Sequence, residues 1–255
     1  MTTLAPGTPN WVDLGTPDLT DAKRFYAALF GWTPHVSPQP EAGGYTIFTK
    51  GAKAVAGAGP LFGEDQRPAW STYIATEDAD ALAAKVESAG GKVLVAPFDV
   101  MDQGRMAVFL DQSGAAFSVW QPMAMPGAEL FNVSGALSWI ELATRDPEGA
   151  KAFYGAVFGW EAEDQPIGPG TYTNWRLGGQ LIGGMMPILS EGPSADLPPR
   201  WMVYFAAADA DATAERAVKL GGAVSVPPSD LPRGRFAVLT DAQGAAFSVI
   251  KLNPA

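Results

Sequence analysis

The chain has no cysteine. Disulfides, thiolate nucleophiles, iron–sulfur clusters and cysteine-held zinc are therefore excluded. It has a single histidine, His35. One imidazole cannot build a two-histidine, one-carboxylate metal site within one protomer. Without a suitably placed histidine there is no Ser-His-Asp constellation either. Positive charge is scarce too: 17 Lys and Arg stand against 27 Asp and Glu, for a net charge of −10. A nucleic-acid binder needs basic groups to displace counterions from phosphate, so nucleic acid is not expected as a partner. No apolar run approaches the ~20 residues of a membrane span. The first ten residues, MTTLAPGTPN, show neither a basic n-region nor an apolar h-region. The expectation is a cytoplasmic protein with no membrane partner.

What is present is a well-cored composition. Hydrophobic residues make up 47% and charged residues 17%, which argues for a globular fold over disorder. The 29 glycines and 22 prolines suit many turns between short strands.

The chain also states itself twice. Residues 11–32 read WVDLGTPDLTDAKRFYAALFGW, and residues 139–160 read WIELATRDPEGAKAFYGAVFGW. A second pair of blocks, GRMAVFLDQSGAAFSV at 104–119 and GRFAVLTDAQGAAFSV at 234–249, repeats at almost the same offset. A period near 130 residues is too long for a solenoid and fits duplication of a whole domain. The expected division is a first domain over 1–122, a linker over 123–137 and a second domain over 138–255.

Each copy has an inner rhythm. Alternation over 11–16 predicts a strand, with Trp11 and Asp13 on one face and Val12 and Leu14 on the other. Asp18 is the expected N-cap of a helix whose apolar face is Ala22, Phe25, Tyr26, Leu29 and Phe30, ended by Gly31. In the second copy Asp146-Pro147 is an N-cap followed by proline at the first helical position. A further strand, a helix over 78–89 and three more strands follow, the last two joined through the turn from Asp111 to Gly114. The unit is βαβββ, and the chain holds four.

On these residues the sequence resembles the vicinal oxygen chelate superfamily: glyoxalase I, the bleomycin-resistance proteins and the extradiol dioxygenases. The matching features are D-x6-F-Y-x3-F/L-G, from Asp18 to Gly31 and from Asp146 to Gly159, and D-x-x-G-x-x-F, from Asp111 to Phe117 and from Asp241 to Phe247. The resemblance implies an α+β fold of tandem glyoxalase-like domains. In it, paired βαβββ modules form curved mixed sheets around a cup that holds ligand and metal. It also implies where metal ligands would stand. Seven residues before the helix-capping aspartate are Trp11 and Trp139. On the strand opening the second half are Ser71 and Met202. Seven residues after the turn aspartate are Ser118 and Ser248. The remaining ligand strand, opening at Tyr45 and Tyr172, carries no acid or histidine. These are poor ligands for a divalent first-row metal, so no metal and no cofactor are expected. His35 reads as a surface residue of a proline-rich loop.

Alternation then assigns the lining of each cup. Asp13 and Glu141 are the candidate catalytic carboxylates. Trp11, Tyr73, Ser118, Trp120, Trp139, Tyr204 and Ser248 are the candidate ligand-binding residues. Aromatic walls with a few placed polar groups suit a small, aromatic or amphipathic organic molecule. The alternatives are a metal-independent lyase, isomerase or hydroxylase-like enzyme with an inward carboxylate as base, and metal-dependent glyoxalase or dioxygenase chemistry. Against a site role, Asp13 and Glu141 are expected to pair with Arg105 and Arg235 across the sheet. Trp70 and Trp201 are expected to be packing residues, and Gly57, Gly59, Gly183 and Gly184 to be strand bends. Met185-Met186 stands where the first copy has Ala58-Gly59, which narrows the second cup. Because tandem modules can complete one another within a chain, monomer or homodimer is expected.

Overall fold

The computed structural model describes residues 4–61, 63, 66–167, 170–191 and 196–253. The first βαβββ module is β1 (Pro9–Thr16), α1 (Leu19–Phe30), β2 (Thr33–Val36), β3 (Thr46–Lys50) and β4 (Lys53–Pro60). The second is β5 (Ala69–Ala75), α2 (Ala79–Ser88), β6 (Lys92–Val100), β7 (Gly104–Leu110) and β8 (Ala116–Pro122). The third is β9 (Leu137–Thr144), α3 (Pro147–Phe158), β10 (Glu161–Ile167), β11 (Gly170–Leu177) and β12 (Gln180–Pro187). The fourth is β13 (Arg200–Ala206), α4 (Ala210–Lys219), β14 (Ala223–Leu231), β15 (Gly234–Thr240) and β16 (Ala246–Leu252). His35 lies in β2, not in a loop as its proline-rich neighbourhood suggested, and its Nε2 is 2.9 Å from Thr49 Oγ1. No helix among the described residues is long and apolar enough to cross a membrane.

The strands form two eight-stranded mixed sheets, in the orders β2-β3-β4-β1-β5-β8-β7-β6 and β10-β11-β12-β9-β13-β16-β15-β14. Within each module the first and last strands pair in parallel, across the helical crossover, as in β1 with β4 and β5 with β8. The other strands follow as antiparallel hairpins.

Local chemistry explains the helices. The Asp18 carboxylate accepts from the N–H groups of Thr20 and Asp21, capping α1, and Gly31 ends it at φ 72°. Asp146 caps α3 through Gly149 N–H, Pro147 fills the first turn, and Gly159 ends the helix at φ 72°. Asp78 and Asp209 cap α2 and α4 through Ala81 and Ala212. Each cap satisfies donors that the first helical turn leaves without partners.

Two compact units cut across the sequence repeat. One comprises Met1–Asn10, Thr72–Gly127 and Trp139–Met202; the other comprises Trp11–Ser71, Ala128–Ser138 and Val203–Ala255. The core of the latter is a cluster of rings including Phe25, Tyr26, Phe30, Trp32, Trp70, Phe205 and Phe247. At its centre Tyr26 O–H donates to Asp241 Oδ2 at 2.9 Å and accepts from Trp70 Nε1 at 2.9 Å. The other unit repeats this: Tyr154 O–H donates to Asp111 Oδ2 at 3.0 Å and accepts from Trp201 Nε1 at 2.8 Å. Trp70 and Trp201 are packing residues, as expected, with buried rings. Burial pushes both phenols well above the usual tyrosine range, and the neighbouring aspartate adds to it.

Candidate functional site

Asp13 and Glu141 sit on the first strand of their modules, directly opposite a glycine. Asp13 is in register with Gly57 of β4, and Glu141 with Gly184 of β12. Each glycine makes room for a tyrosine. A Cβ on Gly57 would lie 2.0 Å from the Tyr45 hydroxyl, and one on Gly184 would lie 1.9 Å from the Tyr172 hydroxyl. The expected strand bends at these two positions are thus gaps that admit a phenol.

The phenol joins the two residues that alternation placed together. Trp11 Nε1 donates to Tyr45 Oη at 3.0 Å, and Tyr45 O–H donates to Asp13 Oδ2 at 3.2 Å. In the other unit Trp139 Nε1 donates to Tyr172 Oη at 2.9 Å, and Tyr172 O–H donates to Glu141 Oε2 at 2.8 Å. The order indole, phenol, carboxylate is fixed by chemistry: an indole N–H only donates, and an ionised carboxylate only accepts. Burial pushes the Tyr45 phenol well above its usual range; the Asp13 charge adds to this, and the Trp11 donor opposes it. Tyr45 is therefore a neutral donor at ordinary pH.

The expected salt bridges to Asp13 and Glu141 do not form. Arg105 is held by Asp80 at 2.8 Å and Asp99 at 2.8 Å. Arg235 is held by Asp211 and Asp230 in the same way. Each arginine lies along its own strand pair, where β6 and β14 supply the second acid.

The remaining candidates fall into two pairs. Tyr73 is in register with Ser118, and Ala75 with Trp120. Trp120 is buried; its indole donates to the Met125 carbonyl at 2.8 Å, and its ring fills the space a side chain on Gly104 would need. Tyr204 is in register with Ser248, which is fully buried and whose hydroxyl has no partner among the described residues, and the Tyr204 ring tilts against Phe236 at 6.5 Å. A separate cavity of about 280 Å³ lies against the first turn of α3, lined by Lys151, Asp164, Thr173 and Met185 among others. There Lys151 bonds both Glu148 and Asp164, two acids to one base.

Tyr45 and Tyr172 were not singled out from sequence. The signal was available: a tyrosine opens the same strand in both copies, and a glycine recurs at the same interval from each.

The comparisons with known proteins identify the family. Residues 8–119 match the Glyoxalase/Bleomycin resistance protein/Dioxygenase superfamily, and residues 139–250 match a Glyoxalase-like domain. The chain belongs to this superfamily. It is 45% identical over 268 residues to the anthracycline biosynthesis protein DnrV of Streptomyces peucetius, covering 99% of this chain and 96% of that one. It is 46% identical over 254 residues to the "Putative glyoxylase CFP32" of Mycobacterium tuberculosis, covering 97% and 96%. Among solved structures it resembles the Mn(II)-bound glyoxalase from Novosphingobium aromaticivorans, with TM-score 0.65 and 20% identity over 98% of this chain and 85% of that one. This likeness is one of fold.

The superfamily implies a divalent metal, and the residues here do not fit one. Trp11 and Trp139 stand where the resemblance implies the first ligand, and their side chains offer only an N–H. Ser71, Met202, Ser118 and Ser248 offer neutral hydroxyls or a thioether, a weak donor set for a divalent first-row ion. The phenols of Tyr45 and Tyr172 carry their protons to carboxylates. Among the described residues no three of His, Asp and Glu group so as to hold a metal.

Proposed function

We propose that this protein binds a small aromatic or amphipathic organic molecule without the superfamily metal. One observation carries the reading. In both repeats an indole, a phenol and a carboxylate are joined in one hydrogen-bonded chain, and the resemblance implies a metal ligand at the position of the indole. Such a chain combines a flat apolar wall with a polar end, which is how pockets for organic ligands gain orientation. The relatives named for anthracycline biosynthesis favour a polycyclic aromatic ligand. Titration of chelator-treated protein with an anthracycline aglycone, followed by calorimetry and tryptophan fluorescence, tests this. Saturable binding tighter than millimolar is expected, and its absence refutes the reading.

A second reading has support in the 2.8 Å contact between Tyr172 and Glu141. A carboxylate hydrogen-bonded to a phenol can act as a general base. The chain would then be a metal-independent enzyme working through Glu141, Asp13 or both.

A further inference from the structure

The cavity against the first turn of α3 lies on the opposite face of the sheet from the Trp139–Tyr172–Glu141 chain. Thr173 and Met185 line it, whereas their sequence neighbours Tyr172 and Gly184 share the face of Glu141. All of its lining residues fall between 147 and 187, within one compact unit. Its floor is apolar: Met185 is 1% exposed, and Pro147 stands beside it. Its rim is charged. Thr173 O–H donates to Asp164 at 2.6 Å, and Lys151 donates to Asp164 at 2.6 Å and to Glu148 at 2.7 Å. Two carboxylates and one ammonium leave one negative charge in excess.

The first module differs on each element that builds this space. The second residue of α1 is Thr20, where α3 has Glu148. Val36 is in register with Thr46 as Asp164 is with Thr173, so the second acid is replaced too. Ala58 pairs with Thr46 where Met185 pairs with Thr173. The first residue of α1 is Leu19, and a Cβ at Gly44 would lie 3.6 Å from its Cδ1. Leucine therefore covers the entry to β3, and proline at the same helical position leaves the entry to β11 open. Opening, apolar floor and acids thus changed together, on the helix and on two strands.

We infer that this cavity is a binding site for a small organic monocation: a primary amine carried on a single apolar ring. The ammonium balances the second acid, and the ring packs on Met185, whose polarisable sulfur suits it, and on Pro147. A volume of about 280 Å³ stands at the lower end of ligand pockets and suits one ring. The chain's net charge of −10 draws cations toward it and repels anions. This site is separate from the indole–phenol–carboxylate chains and does not rest on their role.

Benzylamine and benzoate match in size and differ in charge. Each is titrated into the full-length protein at low salt, and binding is followed by calorimetry and by backbone amide resonances. Benzylamine is expected to saturate and to shift the amides of Lys151, Thr173 and Met185, with affinity falling as salt is added; benzoate is not expected to bind. Glu148→Gln alters a side chain that is 82% exposed, so the fold persists, and benzylamine weakens about tenfold through loss of a charge-assisted contact. Pro147→Leu installs the first module's residue and abolishes binding. Glu215→Gln removes a comparably exposed acid from α4 and leaves affinity unchanged. No saturation by benzylamine, or equal binding of benzoate, overturns the inference. So do equal losses in Glu148→Gln and Glu215→Gln, which would mark general attraction of cations. Shifts confined to Trp139, Glu141 and Tyr172 overturn it as well, since the amine would then sit on the other face. Failure of benzylamine while an aromatic ligand still binds under the reading above defeats this inference alone.

Discussion

Tyr26 donates its phenolic proton to Asp241, 215 residues further along the chain. The first of these belongs to the F-Y motif of the first module and the second to the D-x-x-G turn of the fourth. Asp241 also accepts from the backbone N–H groups of Gln243 and Ala245, so one carboxylate shapes the turn and receives the helix. Tyr154 and Asp111 make the same link between the third and second modules. Two motifs that identify the superfamily are therefore hydrogen-bond partners across different modules.

Tyr26→Phe should lower stability by about 1–3 kcal/mol, because it leaves buried groups on Trp70 and Asp241 without their partner. Denaturant unfolding measures this. The phenylalanine keeps the ring contacts, so an effect below about 0.5 kcal/mol would show that the hydrogen bond is not structural.

The carboxylates respond to pH in opposite directions. Burial raises Asp241 above its ordinary value, with its backbone and Tyr26 donors opposing this. Its folded form holds the proton more tightly than the unfolded chain does, so its contribution is largest at low pH and is lost as pH rises through the folded value. Asp164 is lowered, first by Lys151 and then by Thr173. Its contribution is present above the ordinary carboxylate value of 3.8 and is lost as pH falls below it. Unfolding curves from acid to neutral pH should show the stability gap between wild type and Asp164→Asn widening with pH. The corresponding gap for Asp241→Asn should move the other way. Parallel slopes would contradict these assignments.

The helices and the packed core were legible because they are written locally. Asp18, Asp146, Gly31 and Gly159 are caps that a reader finds without coordinates, and Phe25, Tyr26, Phe153 and Tyr154 recur at helical spacing. The pairing of Trp11 with Asp13 on one face follows from strand alternation alone. What alternation cannot supply is the partner from another strand. Tyr45 reaches Asp13 only because β3 and β4 bring Gly57 beneath the phenol, and that register is a tertiary fact. For the same reason the expected bridges from Arg105 and Arg235 to the carboxylates were misplaced. Acids on the neighbouring hairpin strand, Asp99 and Asp230, lie in register with the arginines and take them. The interleaved compact units were hidden as well, since a tandem repeat of this period gives no sign of which module packs on which.

Gly57→Ala tests the gap beneath the phenol. The added methyl would sit 2.0 Å from the Tyr45 hydroxyl, so the ring must leave its position between Trp11 and Asp13. Overpacking of this kind costs about 1–3 kcal/mol, and ligand affinity at the first repeat should fall with it. Gly31→Ala is the control. It meets no neighbour and suffers only the strain of its positive φ, so stability should drop while the Tyr45 contacts and ligand affinity persist. Equal affinity losses in both variants would mean that the gap at Gly57 has no special role.

Chelation provides an independent check on the reading without metal. The donor set at the superfamily positions is indole, neutral hydroxyl and thioether, none of which holds a divalent ion strongly. Dialysis against a strong chelator should therefore leave ligand affinity within about twofold, a difference smaller than one neutral hydrogen bond. A loss restored by adding back Mn, Zn, Ni or Fe would reverse the conclusion.

The carboxylates separate binding from catalysis. If Asp13 or Glu141 serves as a general base, replacing the acid by its amide abolishes proton abstraction while the side chain keeps its shape. Asp13→Asn and Glu141→Gln still accept from Tyr45 and Tyr172 through the amide oxygen, so the melting temperature should hardly move. For a binding protein the amides weaken the ligand by about tenfold, since a charge-assisted hydrogen bond becomes a neutral one. For an enzyme, kcat in a turnover assay falls by a factor of about 100 or more, the usual contribution of a general base, and KM changes little. A variant with unchanged affinity and unchanged turnover at both positions would show that the indole–phenol–carboxylate chains serve the fold and not the ligand.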